Sequence, residues 1–146
     1  MGAAMRVLFP LDGSERGFAA MEAALDLLKA NQVKATLLVV LQDFQGAPEE
    51  MIQEFEDDTE DEVFPTEASA VVVLKQASKR MRRKGVEMTL KIGKGDIASE
   101  VIAESANHDV LVMHSLRRSQ RFRLRSRRTK KIIRGAKCNT LLMQAY

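Results

Sequence analysis

Apolar positions gather in five short runs, and their spacing differs from run to run. Met5 to Leu11, MRVLFPL, is apolar at nearly every position, and so is Val33 to Leu41, VKATLLVVL. Runs without alternation suit central strands of a parallel sheet, covered on both faces. Val86 to Ile92 alternates instead, with Val86, Met88, Leu90 and Ile92 set against Glu87, Thr89 and Lys91. A period of two predicts a strand with one wet face, at the edge of a sheet. Asp109 to Met113 and Thr140 to Met143 complete the set.

Between these runs the spacing becomes helical. After the turn residues Asp12-Gly13-Ser14, the face Phe18, Met21, Leu25 and Leu28 predicts a helix ending near Asn31. Asp12 or Ser14 can cap it, and Glu15 suits its first turn. A second helix is predicted over Thr66 to Lys84, with Val71, Leu74, Ser78 and Met81 on one face. Lys79, Arg80, Arg82, Arg83 and Lys84 crowd its end, where cations suit the helix dipole, and Gly85 stops it. Gly93-Lys94-Gly95-Asp96 reads as a turn and cap before a helix over Ile97 to Asn107, whose face is Ile97, Val101, Ile102 and Ser105. A short helix around Lys130 to Arg134 precedes the last strand. Strand and helix alternate throughout. That order predicts a three-layer α/β/α fold around a mostly parallel sheet, with right-handed crossovers. At 146 residues, one domain over 1–146 is expected.

Two segments break the pattern. Residues 42–65 form a long acidic connection containing Gly46, Pro48 and Pro65, with acids from Asp43 to Glu62 and no Lys or Arg. A helical piece is expected near Met51 to Phe55. The plain reading is a solvated surface loop; the sharper one is a cover over a ligand site. Residues 114–128 form a basic loop after the fourth strand. Ten Lys and Arg fall between Arg117 and Arg134.

Charge sharpens this contrast. Residues 1–109 carry 12 Lys and Arg against 20 Asp and Glu, or −8; residues 110–146 carry 11 against none, or +11, which sums to the net +3. Such asymmetry calls for an anionic ligand, an acidic protein partner, or pairing of one half with the other. Nucleic acid is a rival partner for the basic loop through counterion release. Against it, Phe122 is the one aromatic residue among those cations, so stacking platforms are scarce.

Other chemistry finds little footing. The single cysteine, Cys138, allows no intrachain disulfide and reads as a small buried side chain. His108 and His114 stand apart, so no metal site is expected. Ser14 lacks nucleophile-elbow spacing, and Gly93-Lys94-Gly95 lacks the Walker pattern, so no catalytic residue is assigned. No apolar run is long enough for a membrane span, MGAAMRV has no signal-peptide pattern, and Arg6 breaks the myristoylation motif. A cytoplasmic location is expected.

Three motifs in order resemble the universal stress protein family. VLFPLDGS (Val7 to Ser14) is similar to the family's first strand and turn. GKGDIASEVIAESANHDVLVM (Gly93 to Met113) is similar to its glycine turn, helix and fourth strand. GAKCNTLLM (Gly135 to Met143) is similar to the lead into its fifth strand, with Lys137 and Asn139 where prolines are frequent. The resemblance covers nearly the whole chain. It implies strand order 3-2-1-4-5, a homodimer through the last strand, and a stress-response or regulatory role without catalysis.

Many members bind ATP through spaced glycines after the fourth strand, where backbone N–H groups and a helix N-terminus meet the phosphates. Here His114 and Arg117 stand at the first two glycine positions, and Ser126-Arg127 at the last pair. The resemblance therefore implies loss of the usual ATP site, or its replacement by guanidinium groups, which bind phosphate bidentately. ATP is then the one candidate cofactor. By carry-over, Leu11, Asp12 and Val40 would hold the adenine and ribose. Met113 and His114 stand at the strand end, and Ser115, Arg117, Arg118, Ser126 and Arg127 would lie on the phosphate side.

Overall fold

The computed structural model describes residues 3–43, 48–50, 53, 65–115 and 127–144. Its strands are β1 (Met5–Pro10), β2 (Val33–Gln42), β3 (Glu87–Gly95), β4 (Val110–Ser115) and β5 (Asn139–Gln144). Its helices with described bounds are α1 (Glu15–Leu27), α2 (Glu67–Arg83), α3 (Ile97–Ser105) and α4 (Arg127–Gly135). In the acidic connection Glu49, Glu50 and Gln53 are also helical, where a helical piece is expected near Met51 to Phe55. The sheet is five-stranded, in the order β3-β2-β1-β4-β5. All four pairings are parallel, so the expected "mostly parallel" sheet is parallel throughout.

The two unbroken apolar runs are central, as their pattern requires. Val7, Leu8 and Phe9 of β1 and Leu37 to Val40 of β2 are buried on both faces. Their side chains part into two cores. Val7, Phe9, Leu37 and Val39 meet Phe18, Met21, Val73, Leu74 and Met81 from α1 and α2. On the other face Leu8, Leu38, Val40 and Leu111 meet Ala98, Val101 and Ile132 from α3 and α4. Alternate residues of one strand thus serve opposite layers. Two helices on each face make the three-layer fold.

Caps follow the sequence closely. Ser14 caps α1, accepting from Gly17 N at 3.0 Å, while Asp12 Oδ1 accepts from Ser14 N at 2.8 Å. Gly13 between them has φ +88°, a conformation that disfavours any side chain. Thr66 caps α2 in a reciprocal box with Ser69. The cations at the end of α2 are tied to α1. Arg80 bridges Glu15 and Glu22 and lies over the Phe18 ring, and Lys84 pairs with Asp26.

Several details differ from expectation. α1 ends at Leu27, and Leu28 makes its C-cap. Val71 is 49% exposed, because the buried stripe of α2 runs through Ala70, Val73, Leu74 and Ala77. Gly93 to Gly95 form no separate turn; β3 continues through them, in register with Val40 to Gln42. α4 begins at Arg127, a turn earlier than the sequence suggests. The apolar face of edge strand β3 is itself half open, with Leu90 47% and Ile92 50% exposed. Among the described residues no helix is long and apolar enough to cross a membrane.

Candidate functional site

Order β3-β2-β1-β4-β5 reverses direction between β1 and β4. In open α/β sheets the crevice at that reversal, beyond the carboxyl ends of the strands, is where ligands bind. A cleft lies there. Pro10, Leu11 and Asp12 from the end of β1, Leu38 and Val40 from β2, and Met113 and His114 from β4 line it. Pro65 before α2, Ile97 and Val101 of α3, and Arg128 and Ile132 of α4 complete its wall. The cleft is apolar over most of this surface, with Asp12, His114 and Arg128 as its ionisable side chains among the described residues. Few polar groups on an apolar wall is the usual make-up of a small-molecule site.

Each polar group is placed by local structure. The capped start of α1 holds Asp12 through the Asp12–Ser14 hydrogen bond. Gly17 lets that turn come close. A Cβ there would stand 3.2 Å from Asp12 Oδ1 and 3.4 Å from His114 Cε1. His114 Nε2 lies 3.8 Å from Asp12 Oδ2, beyond hydrogen-bond reach. It is buried and makes no hydrogen bond among the described residues. An unmatched buried ring nitrogen at a cleft is a group that a ligand can satisfy.

The far wall is braced by Asp96. Its carboxylate caps α3, accepting from Ser99 N at 3.0 Å and Ser99 Oγ at 2.8 Å. Lys131 of α4 reaches the same oxygen at 3.5 Å. Gln42 Oε1 accepts from Ile97 N at 2.9 Å, tying the end of β2 to α3. Burial works against ionisation of Asp96. The Ser99 hydrogen bonds, then Lys131 and Gln42, outweigh it and hold the carboxyl below its ordinary range. Ile132, buried beneath the cleft, locks α4 to this wall.

Of the residues singled out by sequence, Leu11, Asp12, Val40, Met113 and His114 come together in this one cleft. Ser115 closes β4, and Arg127 opens α4. Arg117, Arg118 and Ser126 lie outside the described residues, as does most of the acidic connection. Sequence reasoning passed over Arg128, one position beyond Arg127. It also missed the apolar wall of Leu38, Ile97, Val101 and Ile132, since carry-over followed only the motif positions of the family. The helical spacing of Ile97 and Val101 was visible but read only as core.

Two other expectations are refined. His108 is not isolated. Its Nδ1 donates to the Glu104 carbonyl at 2.9 Å, and its Nε2 meets Thr36 Oγ1 at 2.7 Å. Since a carbonyl only accepts, neutral His108 carries its proton on Nδ1 and accepts from Thr36. Cys138 is partly rather than fully buried, and burial, followed by the nearby Asp109 charge, pushes its thiol pKa up. Among the described residues no cluster of His, Cys, Asp and Glu could hold a metal ion.

Fold and cleft together define a doubly wound α/β protein with a narrow crevice at its topological switch point. The sequence profile of the Universal stress protein family matches residues 4–144, and the chain belongs to that family. No curated protein matches the sequence. Among solved structures, a universal stress protein in complex with cAMP superposes with a TM-score of 0.70 at 16% identity, over 99% of this chain and 100% of that one. A family protein from Arabidopsis thaliana with AMP bound gives 0.66 at 16% identity, over 97% and 92%. The universal stress protein from Archaeoglobus fulgidus in complex with dAMP gives 0.60 at 15% identity, over 97% and 98%. At these identities the likeness is one of fold.

Proposed function

We propose that this protein is a non-catalytic, stress-responsive module that binds a nucleoside monophosphate in the switch-point cleft. The observation that carries this reading is the convergence of Leu11, Asp12, Val40, Met113 and His114 on one apolar crevice beside Arg128. The apolar wall suits a purine, and Asp12 is an acceptor for ribose hydroxyls. His114 and Arg128 offer side-chain donors to a phosphate. Three relatives of the same fold were solved with cAMP, AMP and dAMP. The glycines that would give a backbone nest for a triphosphate are replaced, so the site keeps the nucleoside end and lacks the usual ATP grip. Ser115, Arg117, Arg118, Ser126 and Arg127 belong to the phosphate side of this proposal. It goes with a single cytoplasmic domain and a homodimer through β5.

Titration calorimetry of nucleic-acid-free protein with AMP, cAMP, ATP and pyrophosphate tests it. Micromolar AMP binding is expected, with ATP no tighter. Asp12→Ala and Arg128→Ala should each weaken AMP about tenfold or more, as loss of a charged hydrogen bond does. Absence of any nucleotide binding overturns the reading. A second reading then takes over, favoured by the side chains at the glycine positions: the basic segment after β4 serves an acidic protein partner.

A further inference from the structure

Edge strand β3 is long, open and apolar on one face. Its inner edge pairs with β2 over the whole of Glu87 to Gly95, and its outer edge has no strand partner among the described residues. Leu90 and Ile92 lie in register with buried Leu37 and Val39, yet each is about half exposed. On the same side of the sheet, Val71 and Val72 of α2 are also half exposed. An exposed edge with apolar side chains is a template for another strand. Lysine on an edge normally blocks such pairing. Here Lys91 is paired with Glu104 of α3 and stays about half exposed, so its remaining ammonium donors can meet a second carboxylate.

We propose that β3 is a self-association edge, along which two copies of this chain join antiparallel about a two-fold axis at Thr89. The order of charges selects this partner and this register. Directly opposite residues in an antiparallel pair lie on the same face. With the axis at Thr89, Glu87 of each copy faces Lys91 of the other, and the threonines face each other. On the opposite face Met88 meets Leu90 and Val86 meets Ile92, which covers the exposed apolar stripe. Moving the axis to Lys91 would set two ammonium groups against each other, which is unfavourable. Moving it to Leu90 would leave Glu87 opposite Gly93. The joint lies at the far edge of the sheet from β5 and is independent of the nucleotide site.

Cysteine cross-linking in the full chain, with Cys138→Ser as background, tests the register. Thr89 is exposed, so the fold should tolerate Thr89→Cys. Under mild oxidation Thr89→Cys should give a disulfide-linked dimer, because paired cross-strand residues lie within disulfide reach. Glu87→Cys alone should remain uncross-linked, since its own copy sits on the far side of the axis. Glu87→Cys combined with Lys91→Cys should restore the linkage. In sedimentation equilibrium, Glu87→Lys should weaken this association about tenfold by turning two attractive pairs repulsive. The proposal is overturned if Thr89→Cys does not cross-link, if Glu87→Cys cross-links as readily, or if Glu87→Lys leaves self-association unchanged.

Discussion

At the scale of single residues, conformation and charge each concentrate where the cleft is built. Gly13 sits in the turn that aims Asp12, with φ +88°, and a Cβ there would stand 2.8 Å from Val73 Cγ2. Gly13→Ala is therefore expected to destabilise the protein by about 1–2 kcal/mol from backbone conformation alone, measured by chemical denaturation. Asp96 gives a pH prediction with a definite sign. Its folded pKa lies below the ordinary 3.8. The stability it contributes is therefore fully present above that value, and is lost as pH falls through the folded pKa. Asp96→Asn keeps a side chain that can cap α3 and removes the charge. The variant should be less stable than the parent at neutral pH, and the gap should close as pH drops into the acid range. An equal gap at all pH values would show that the charge is not what matters.

At the scale of elements, the helices are held by different means on the two faces. α1 and α2 pack through a broad apolar stripe, with Arg80 and Lys84 bridging their exposed rims. Rim pairs of that kind contribute little. α3 relies more on polar ties. Besides Asp96, its end is fixed by His108, which bridges the Glu104 carbonyl and the Thr36 hydroxyl of β2. Ser105 Oγ also accepts from Lys137 N at 2.8 Å, joining α3 to the lead into β5. Thr36→Val should leave a buried imidazole nitrogen unpaired and cost about 1–3 kcal/mol. Thermal or urea unfolding checks this, and a neutral result would mean water reaches His108.

At the scale of the whole molecule, the cleft depends on both layers at once. Asp12 is set by α1 on one face, while Ile97, Val101, Arg128 and Ile132 come from α3 and α4 on the other. A ligand seated there contacts both, so it should stabilise the fold as a unit. At a hundredfold excess over its Kd, AMP should add about 2.7 kcal/mol. For a chain of this size each kcal/mol raises the Tm by roughly 2–4 °C. Calorimetric melts with and without AMP measure the shift, and Asp12→Ala should shrink it. No shift at saturating AMP would count against the nucleotide site. The split between an acidic front and a basic end, −8 against +11, belongs to this scale too, since it acts through the field of the whole surface rather than any one pair.

Periodicity alone determined the order of elements, the central place of β1 and β2, and β3 as an edge, because burial on two faces, one face or none leaves a direct mark on apolar spacing. Caps at Ser14 and Asp96 were legible for the same local reason: their partners lie within three residues. Motif resemblance added the strand order and Leu11, Asp12, Val40, Met113 and His114 of the cleft. Only the tertiary structure decided what depends on residues far apart in the chain. It brought Val40, Ile97, Arg128 and Ile132 to one wall, gave His108 its partner Thr36, and left His114 Nε2 buried with no partner among the described residues. It also showed that the apolar face of β3 is half open, where alternation predicted a covered face. A sequence pattern records that a side chain prefers to be covered. It does not record whether any helix reaches far enough across the sheet to cover it.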